Sequence, residues 1–353
     1  MRTLAIDCRE ALSENPTGKA RWAHCFLMEL FTRNLPVLLL SNRPLPAAWQ
    51  LPHVRSQVLP SGMHWHLNAA KLLSSRRSDL TYFSPTSFIV PFLAGGAVPT
   101  IPLVHDLIAF RGEPHQRKAQ IIERLTLRRA LAQACHVCAI SEATKHDLLN
   151  RYGFLKSENI SVIFAGPYSE TAPMNVSDGR TILSVGTLCP RKNQLSLIRA
   201  FAGLPEAIRE QSRLIIAGGR GWHDREIVRL ARDTPGVEWR GYVTDAEYES
   251  LLSSATVFAL PSLYEGFGMP VLDALQRGIP VLTSRRGSLP EVAGEAALFA
   301  DPEDESALTQ GLTTLLTDAA VRQQLRTAGP QQAGLFSWKR TVDLFLSGVQ
   351  AFL

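Results

Sequence analysis

Three short stretches carry residue types that could do chemistry together. In "PSLYEGFGMPVLDALQRGIP" (261–280) a carboxylate, Glu265, stands between an apolar run and Gly266-Phe267-Gly268, with Pro270 placed as an opening helical residue. Pro marks a helix start, where the first amides have no intrahelical partner, and such amides suit an anion or sugar hydroxyls. Glu265 would accept hydrogen bonds from a polyol. Asp273 lies about a turn into the helix, either on the side facing the same pocket or as a first-turn acid stabilising the helix dipole. In "SVGTLCPRKNQLSLIRAF" (184–201) a strand, a glycine turn and a helix again follow one another, with Arg191-Lys192 at the entrance. Cations are disfavoured at a helix start, so this pair reads either as a solvated basic turn or as a site for pyrophosphate, which would take forked bonds from Arg191 and a point charge from Lys192. His105-Asp106 follows "IPLV", and a satisfied structural histidine fits those residues as well as a functional one.

These positions need elements to hold them. Short apolar runs alternate with helical patterns: 3–7, 37–40, 80–83, 101–104, 136–140 and 160–164, then 181–185, 213–217, 237–239, 256–260 and 279–283. That alternation predicts two doubly wound parallel sheets, hence two Rossmann-like α/β domains. The stretch 165–180, rich in Gly, Pro, Ser and Asp, reads as the linker. Ligands of open α/β sheets sit beyond the carboxyl ends of strands, which is where the three stretches fall, and two such domains would face a central cleft.

With 353 residues, 45% apolar and 20% charged, the chain has material for two cores. Five scattered cysteines fit reduced thiols rather than a disulfide framework, and Cys135 and Cys138 would point to opposite faces of a strand. No signal peptide and no run long enough for a membrane span appears, so a cytoplasmic protein is expected. Residues 1–165 hold 19 Lys/Arg against 11 Asp/Glu, a balance of +8, while the remainder holds 18 against 21, a balance of −3. The first half is therefore expected to meet something anionic, a phosphate-bearing substrate or a membrane surface, and not nucleic acid. Residues 117–134 place Arg117, Lys118, Arg124, Arg128 and Arg129 around a stripe of Ile121, Leu125 and Ala132, which reads either as a solvated face over a core stripe or as a surface for anionic lipid. His64 and His66 lack a third ligand, and no carboxylate arrangement suggests a metal. Gly219-Arg220-Gly221 and Gly266-Phe267-Gly268 both lack the third glycine of a dinucleotide fingerprint.

"GTLCPRKN", "GYVTDAEYESLLSSATVFALPSLYEGFGMPVLDALQRGIPVLTS" and "LPEVAGEAALFADPED" together resemble the family 4 glycosyltransferases, retaining enzymes of GT-B fold, over about 181–340. The resemblance continues more weakly through "VHDLI" and "AISEATKHDLLNRYG". It implies an amino-terminal acceptor-side domain over 1–168, a nucleotide-sugar domain over 178–336 and a last helix, 337–353, crossing back to the first. By the same carry-over Arg191 and Lys192 bind the donor diphosphate, Glu265, Gly266 and the amides of Phe267 and Gly268 hold the transferred sugar, and Asp273 contacts the ribose. Gly186, Tyr242 and Val243 join the donor-binding set, His105 lines the sugar site, and Gly18 belongs to a phosphate loop. The family's second acid is usually glutamate, where this chain has Asp273, and its second loop glycine is here Ala20. The implied reaction is metal-independent: the departing phosphate takes the acceptor proton on the same face of the sugar. "VHDLI" resembles bacterial mannosyltransferases of surface polysaccharide synthesis, which makes GDP-mannose the first donor expected, a UDP-hexose the second, and a saccharide or lipid-linked saccharide the acceptor. A nucleotide-sugar-binding paralogue without turnover is the alternative.

Overall fold

Continuous runs of Leu, Ile, Val and Ala with no polar alternation must be buried on both faces, and in the computed structural model they form the centres of two parallel sheets. The structure describes residues 2–14, 16–62, 64–112, 117–169 and 173–353. The first sheet contains β1 (Thr3–Asp7), β2 (Val37–Ser41), β3 (Val54–Val58), β4 (Leu80–Ser84), β5 (Thr100–Val104), β6 (Val137–Ala139) and β7 (Ile160–Val162), in the order β3-β2-β1-β4-β5-β6-β7. The second contains β8 (Thr181–Val185), β9 (Arg213–Ala217), β10 (Val237–Gly241), β11 (Val257–Leu260), β12 (Val281–Thr283) and β13 (Ala297–Phe299), in the order β10-β9-β8-β11-β12-β13. Each is the doubly wound arrangement expected from the alternation. Two strands, β3 and β13, go beyond the sequence reading.

The chain divides into two compact units. One holds the residues through Arg111, Arg117–Gly166 and Ser337–Leu353, and the other holds Pro167–Phe336. The helix Trp338–Val349 packs on the helix Gly18–Phe31 and on β7. Its Phe345 ring lies 5.2 Å from Phe26 and 4.6 Å from Phe83, and Trp338 stands edge-on to Trp22 at 6.0 Å. At the junction Gly166 leaves no space: a Cβ there would come within 2.6 Å of the Trp338 amide nitrogen.

Two sequence readings change. Within 165–180, residues 170–172 lie outside those described, but Asn175 is buried and its side-chain amide donates to the carbonyls of Leu252, Ser253 and Ala255 at 2.8–2.9 Å, so that part of the linker is fastened into the second unit. On the helix Arg117–Gln133 the buried face is Thr126, Leu127, Ala130 and Leu131. Ile121 (58% exposed) and Leu125 (69%) face solvent instead of forming a core stripe, among exposed Arg117, Lys118, Arg124, Arg128 and Arg129. Of the cysteine pair only Cys138 lies on β6, and all five thiols are free. His66 lies beside Arg9, its Nε2 3.1 Å from Nη2, where Arg9 is also forked onto Asp7. Among the described residues no helix is long and apolar enough to cross a membrane.

Candidate functional site

In the second sheet the strand order reverses between β8 and β11, and a crevice opens beyond the carboxyl ends of strands at such a point. Both central stretches of sequence arrive there. Gly186 leaves β8 directly, with φ +151°, and a Cβ on it would lie 3.1 Å from Lys192 Cε, so the lysine stem runs across its open face. After Pro190–Lys192, a single turn of 3-10 helix, Asn193 takes a left-handed conformation (φ 58°) and its side-chain amide donates to the carbonyls of Pro261 and Pro302 at 3.1 and 2.6 Å. That residue aims the two preceding cations. The helix Gln194–Ala202 starts only after it, so Arg191 and Lys192 precede the helix by a turn.

The cations converge on one carboxylate. Arg191 Nη1 donates to Glu265 Oε2 at 2.7 Å and to the Tyr264 carbonyl at 2.8 Å, while Lys192 Nζ and Ser262 Oγ donate to Glu265 Oε1 at 2.6 and 2.7 Å. Glu265 is 5% exposed. Burial by itself raises its pKa, but the charges of Arg191 and Lys192, with bonds from Lys192 and Ser262, overcome that and hold it at about 2. The loop before the helix Leu289–Ala293 braces the carboxylate from behind. Ser288 donates through its amide to the Glu265 carbonyl at 3.1 Å and through its hydroxyl to the Phe267 carbonyl at 2.8 Å. Gly287 has φ +58°, and a Cβ there would stand 2.3 Å from the Glu265 carbonyl oxygen. Gly266, Phe267 and Gly268 are buried, and Gly268 caps the helix Met269–Gln276, where Pro270 occupies the first turn.

Asp273, on the helix Met269–Gln276, is buried and bonded to two tyrosines. Its Oδ1 accepts from the Tyr168 amide and its Oδ2 from the Tyr248 hydroxyl, both at 2.7 Å, and Tyr168 in turn donates to Asp245 at 2.7 Å. In the structure Asp273 ties its own helix to residue 168 and to the helix Asp245–Ser254. Tyr242 (47% exposed) and Val243 follow β10 and precede that helix, with the Tyr242 Cβ 3.9 Å from the Cβ position of Gly219.

The remaining two candidates belong to the first unit. Gly18 opens the helix Gly18–Phe31, capped by the Thr17 hydroxyl. His105 follows β5, is buried, and places Nε2 2.7 Å from the Pro85 carbonyl with its ring edge-on to Trp22 at 5.7 Å. Burial first, then the Lys19 charge, push its pKa down to about 3, so near neutrality it is an uncharged ring.

The sequence reading did not single out Ser262, Asn193, Gly287 or Ser288. Ser262 precedes Glu265 by three residues, and Asn193 is a residue type that tolerates left-handed backbone, so both were visible as types. The bracing loop became apparent only when β12 was seen beside β11. Among the described residues no three His, Cys, Asp or Glu side chains come together as a metal site. What the cluster offers is two fixed cations and a glycine-walled turn at the carboxyl ends of parallel strands, a preorganised place for phosphate oxygens.

A model described as "Glycosyltransferase Family 4" matches residues 28–166, and one described as "Glycosyl transferases group 1" matches residues 172–332. The chain is 29% identical to O-antigen chain mannosyltransferase B of Escherichia coli over 326 residues, 88% of this chain and 79% of that one. It is also 29% identical over 280 residues to the serotype-specific mannosyltransferase WbdA of the same species, covering 72% of this chain and about a third (34%) of that relative. Among solved structures, sucrose-phosphate synthase from Thermosynechococcus elongatus superposes with a TM-score of 0.80 at 18% identity, covering 100% of this chain and 99% of that one. Anabaena HepE in complex with UDP and glucose gives 0.75 at 16% identity, covering 99% and 100%.

Proposed function

The chain belongs to glycosyltransferase family 4 and has the GT-B fold, and on that premise we propose that it is a retaining hexosyltransferase moving mannose from GDP-mannose to a hydroxyl of a saccharide or lipid-linked saccharide, in synthesis of a bacterial surface polysaccharide. The observation that carries the proposal is the convergence of Arg191 and Lys192 on Glu265, at 2.7 and 2.6 Å, beside Gly186. Mannose is chosen because relatives matching most of this chain are named mannosyltransferases.

In this reading Arg191 and Lys192 meet the charge that develops on the departing diphosphate, and the buried Glu265 fixes both in advance, so little reorganisation is needed at reaction. Glu265 and the turn Gly266-Phe267-Gly268 hold the sugar. An ionised carboxylate has about four acceptor positions, so Asp273 can take a ribose hydroxyl in addition to its bonds from Tyr168 and Tyr248. Gly186, Tyr242 and Val243 complete the donor set, with Gly18 and His105 the first unit's candidates for phosphate and sugar. No protein group is required as base, because the departing phosphate accepts the acceptor proton, and no metal is required where two cations already meet that phosphate.

The exposed apolar and basic residues of Arg117–Gln133 support peripheral contact with an anionic membrane, which would place the enzyme on the inner face of the cytoplasmic membrane. A panel of GDP- and UDP-sugars, followed by calorimetry and nucleotide release with and without EDTA, tests the function. We expect GDP-mannose to bind and to hydrolyse slowly in either condition. Turnover with a UDP-hexose alone would replace the donor, loss of turnover in EDTA would overturn metal independence, and binding without turnover would favour a non-catalytic paralogue.

A further inference from the structure

Four titratable side chains of the first unit gather at the carboxyl end of β5. Lys19 lies in the first turn of Gly18–Phe31, His105 and Asp106 follow the strand, and Glu123 comes from the helix Arg117–Gln133. Lys19 and Asp106 both act electrostatically on His105 and on Glu123. Three of the four have an ordinary account. Asp106 caps the next turn by accepting from the Ile108 amide at 3.1 Å, His105 lies against the Pro85 carbonyl, and Lys19 extends from a helix start.

Glu123 has none. It stands three and four residues before the buried Thr126 and Leu127, on the inward side of its helix, while Arg124 pins the next position to the Ala109 carbonyl at 2.6 Å. Its Oε1 is shielded from solvent and meets no hydrogen-bond partner. A buried carboxyl oxygen left unsatisfied is destabilising, and one that persists calls for a water, an ion or a ligand to complete it.

We propose that Glu123 is an acceptor-binding residue: its carboxyl hydrogen-bonds a hydroxyl of the incoming saccharide at the end of β5, beside Lys19 and Asp106. The inference rests on the transferase reading and names one residue of the first unit for the acceptor. Burial, only partly offset by Lys19 and reinforced by Asp106, pushes the Glu123 carboxyl up to about 7, so it exchanges between donor and acceptor of hydrogen bonds near neutrality. The groups facing it are Lys19 from one helix, Asp106 from the segment after β5, and Tyr152, at the end of the helix Glu142–Arg151, whose hydroxyl feels its charge. His105, held at about 3, does not titrate in this range.

The test uses the full chain, GDP-mannose and a panel of alkyl mannosides and glucosides as acceptors, with donor hydrolysis measured in parallel. For Glu123→Leu we expect a melting temperature equal to or above wild type, donor hydrolysis within about twofold, and acceptor KM raised at least about tenfold. For Glu123→Gln we expect the inflection near pH 7 in kcat/KM for the acceptor to disappear. An unchanged acceptor KM with transfer intact overturns the proposal, as does a lowered melting temperature with hydrolysis and transfer lost together, which is the pattern of a structural residue. A wild type that hydrolyses no nucleotide sugar would instead defeat the transferase reading on which the proposal stands.

Discussion

Replacing Glu265 by Gln removes a charge while keeping the shape, and its cost can be worked from the site. A glutamate ordinarily titrates near 4.5, and here it is held at about 2 by two cations that outweigh the effect of burial. A difference of about 2.5 units at 1.36 kcal/mol each gives about 3 kcal/mol. The folded pKa lies below the unfolded one, so this stabilisation is complete above pH 4.5 and declines as the pH falls toward 2. At pH 3 about 2 kcal/mol of it is already gone. Glu265→Gln should therefore unfold about 3 kcal/mol more easily than wild type at pH 7, and by only about 1 kcal/mol at pH 3. Denaturant titrations can follow this with fluorotryptophan at Trp239, whose indole donates to the Gly218 carbonyl at 2.9 Å within the same unit. A neutral-pH gap below about 1 kcal/mol, or one that does not narrow in acid, would refute the claim that Arg191 and Lys192 stabilise an ionised Glu265.

Lys192→Met keeps the stem across Gly186 and loses the charge, and steady-state kinetics should show turnover about a hundredfold lower. Gly287→Ala would press a Cβ to 2.3 Å from the Glu265 carbonyl, so donor KM should rise several-fold and the melting temperature fall, both measurable on one preparation. Tyr248→Phe removes a charge-assisted bond to Asp273 and should cost about 1.5–3 kcal/mol of unfolding free energy in urea, with kcat little altered. Binding to vesicles with about 30% anionic lipid should weaken in high salt and in an Ile121→Ser, Leu125→Ser double variant, and sedimentation equal to wild type would remove the membrane assignment.

The parallel sheets were legible because strands buried on both faces must be apolar throughout, and such short runs recur here between helical patterns. β3 escaped because "VRSQV" is an edge strand with mostly exposed side chains, and β13 because its short run "ALF" lies at the other edge of its sheet and is only partly buried. Glu265, Arg191 and Lys192 were readable as types placed after strands, although their mutual ion pairs were not, since 73 and 74 residues separate them along the chain. For Asp273, helical spacing gave a face, but its partners Tyr168 and Tyr248 were fixed by how distant segments meet. On Arg117–Gln133 two apolar rows compete, and only packing against the rest of the unit decided that Leu127 and Ala130, not Ile121 and Leu125, go inside.

The close approach of Gly166 to Trp338 has a bearing on synthesis. Because the chain departs the first unit at 166 and returns to it at 337, at neighbouring points, the whole of 167–336 is an insertion within that unit. On the ribosome the second unit has all its residues before the first does. Until residues 337–353 emerge, Trp22, Phe26 and Phe83 lack the aromatic cover of Trp338 and Phe345 and expose apolar surface. At about 5–20 residues per second, the roughly 170 intervening residues keep that surface open for about 9–34 s. The unit whose strands are translated first is thus the last to be completed.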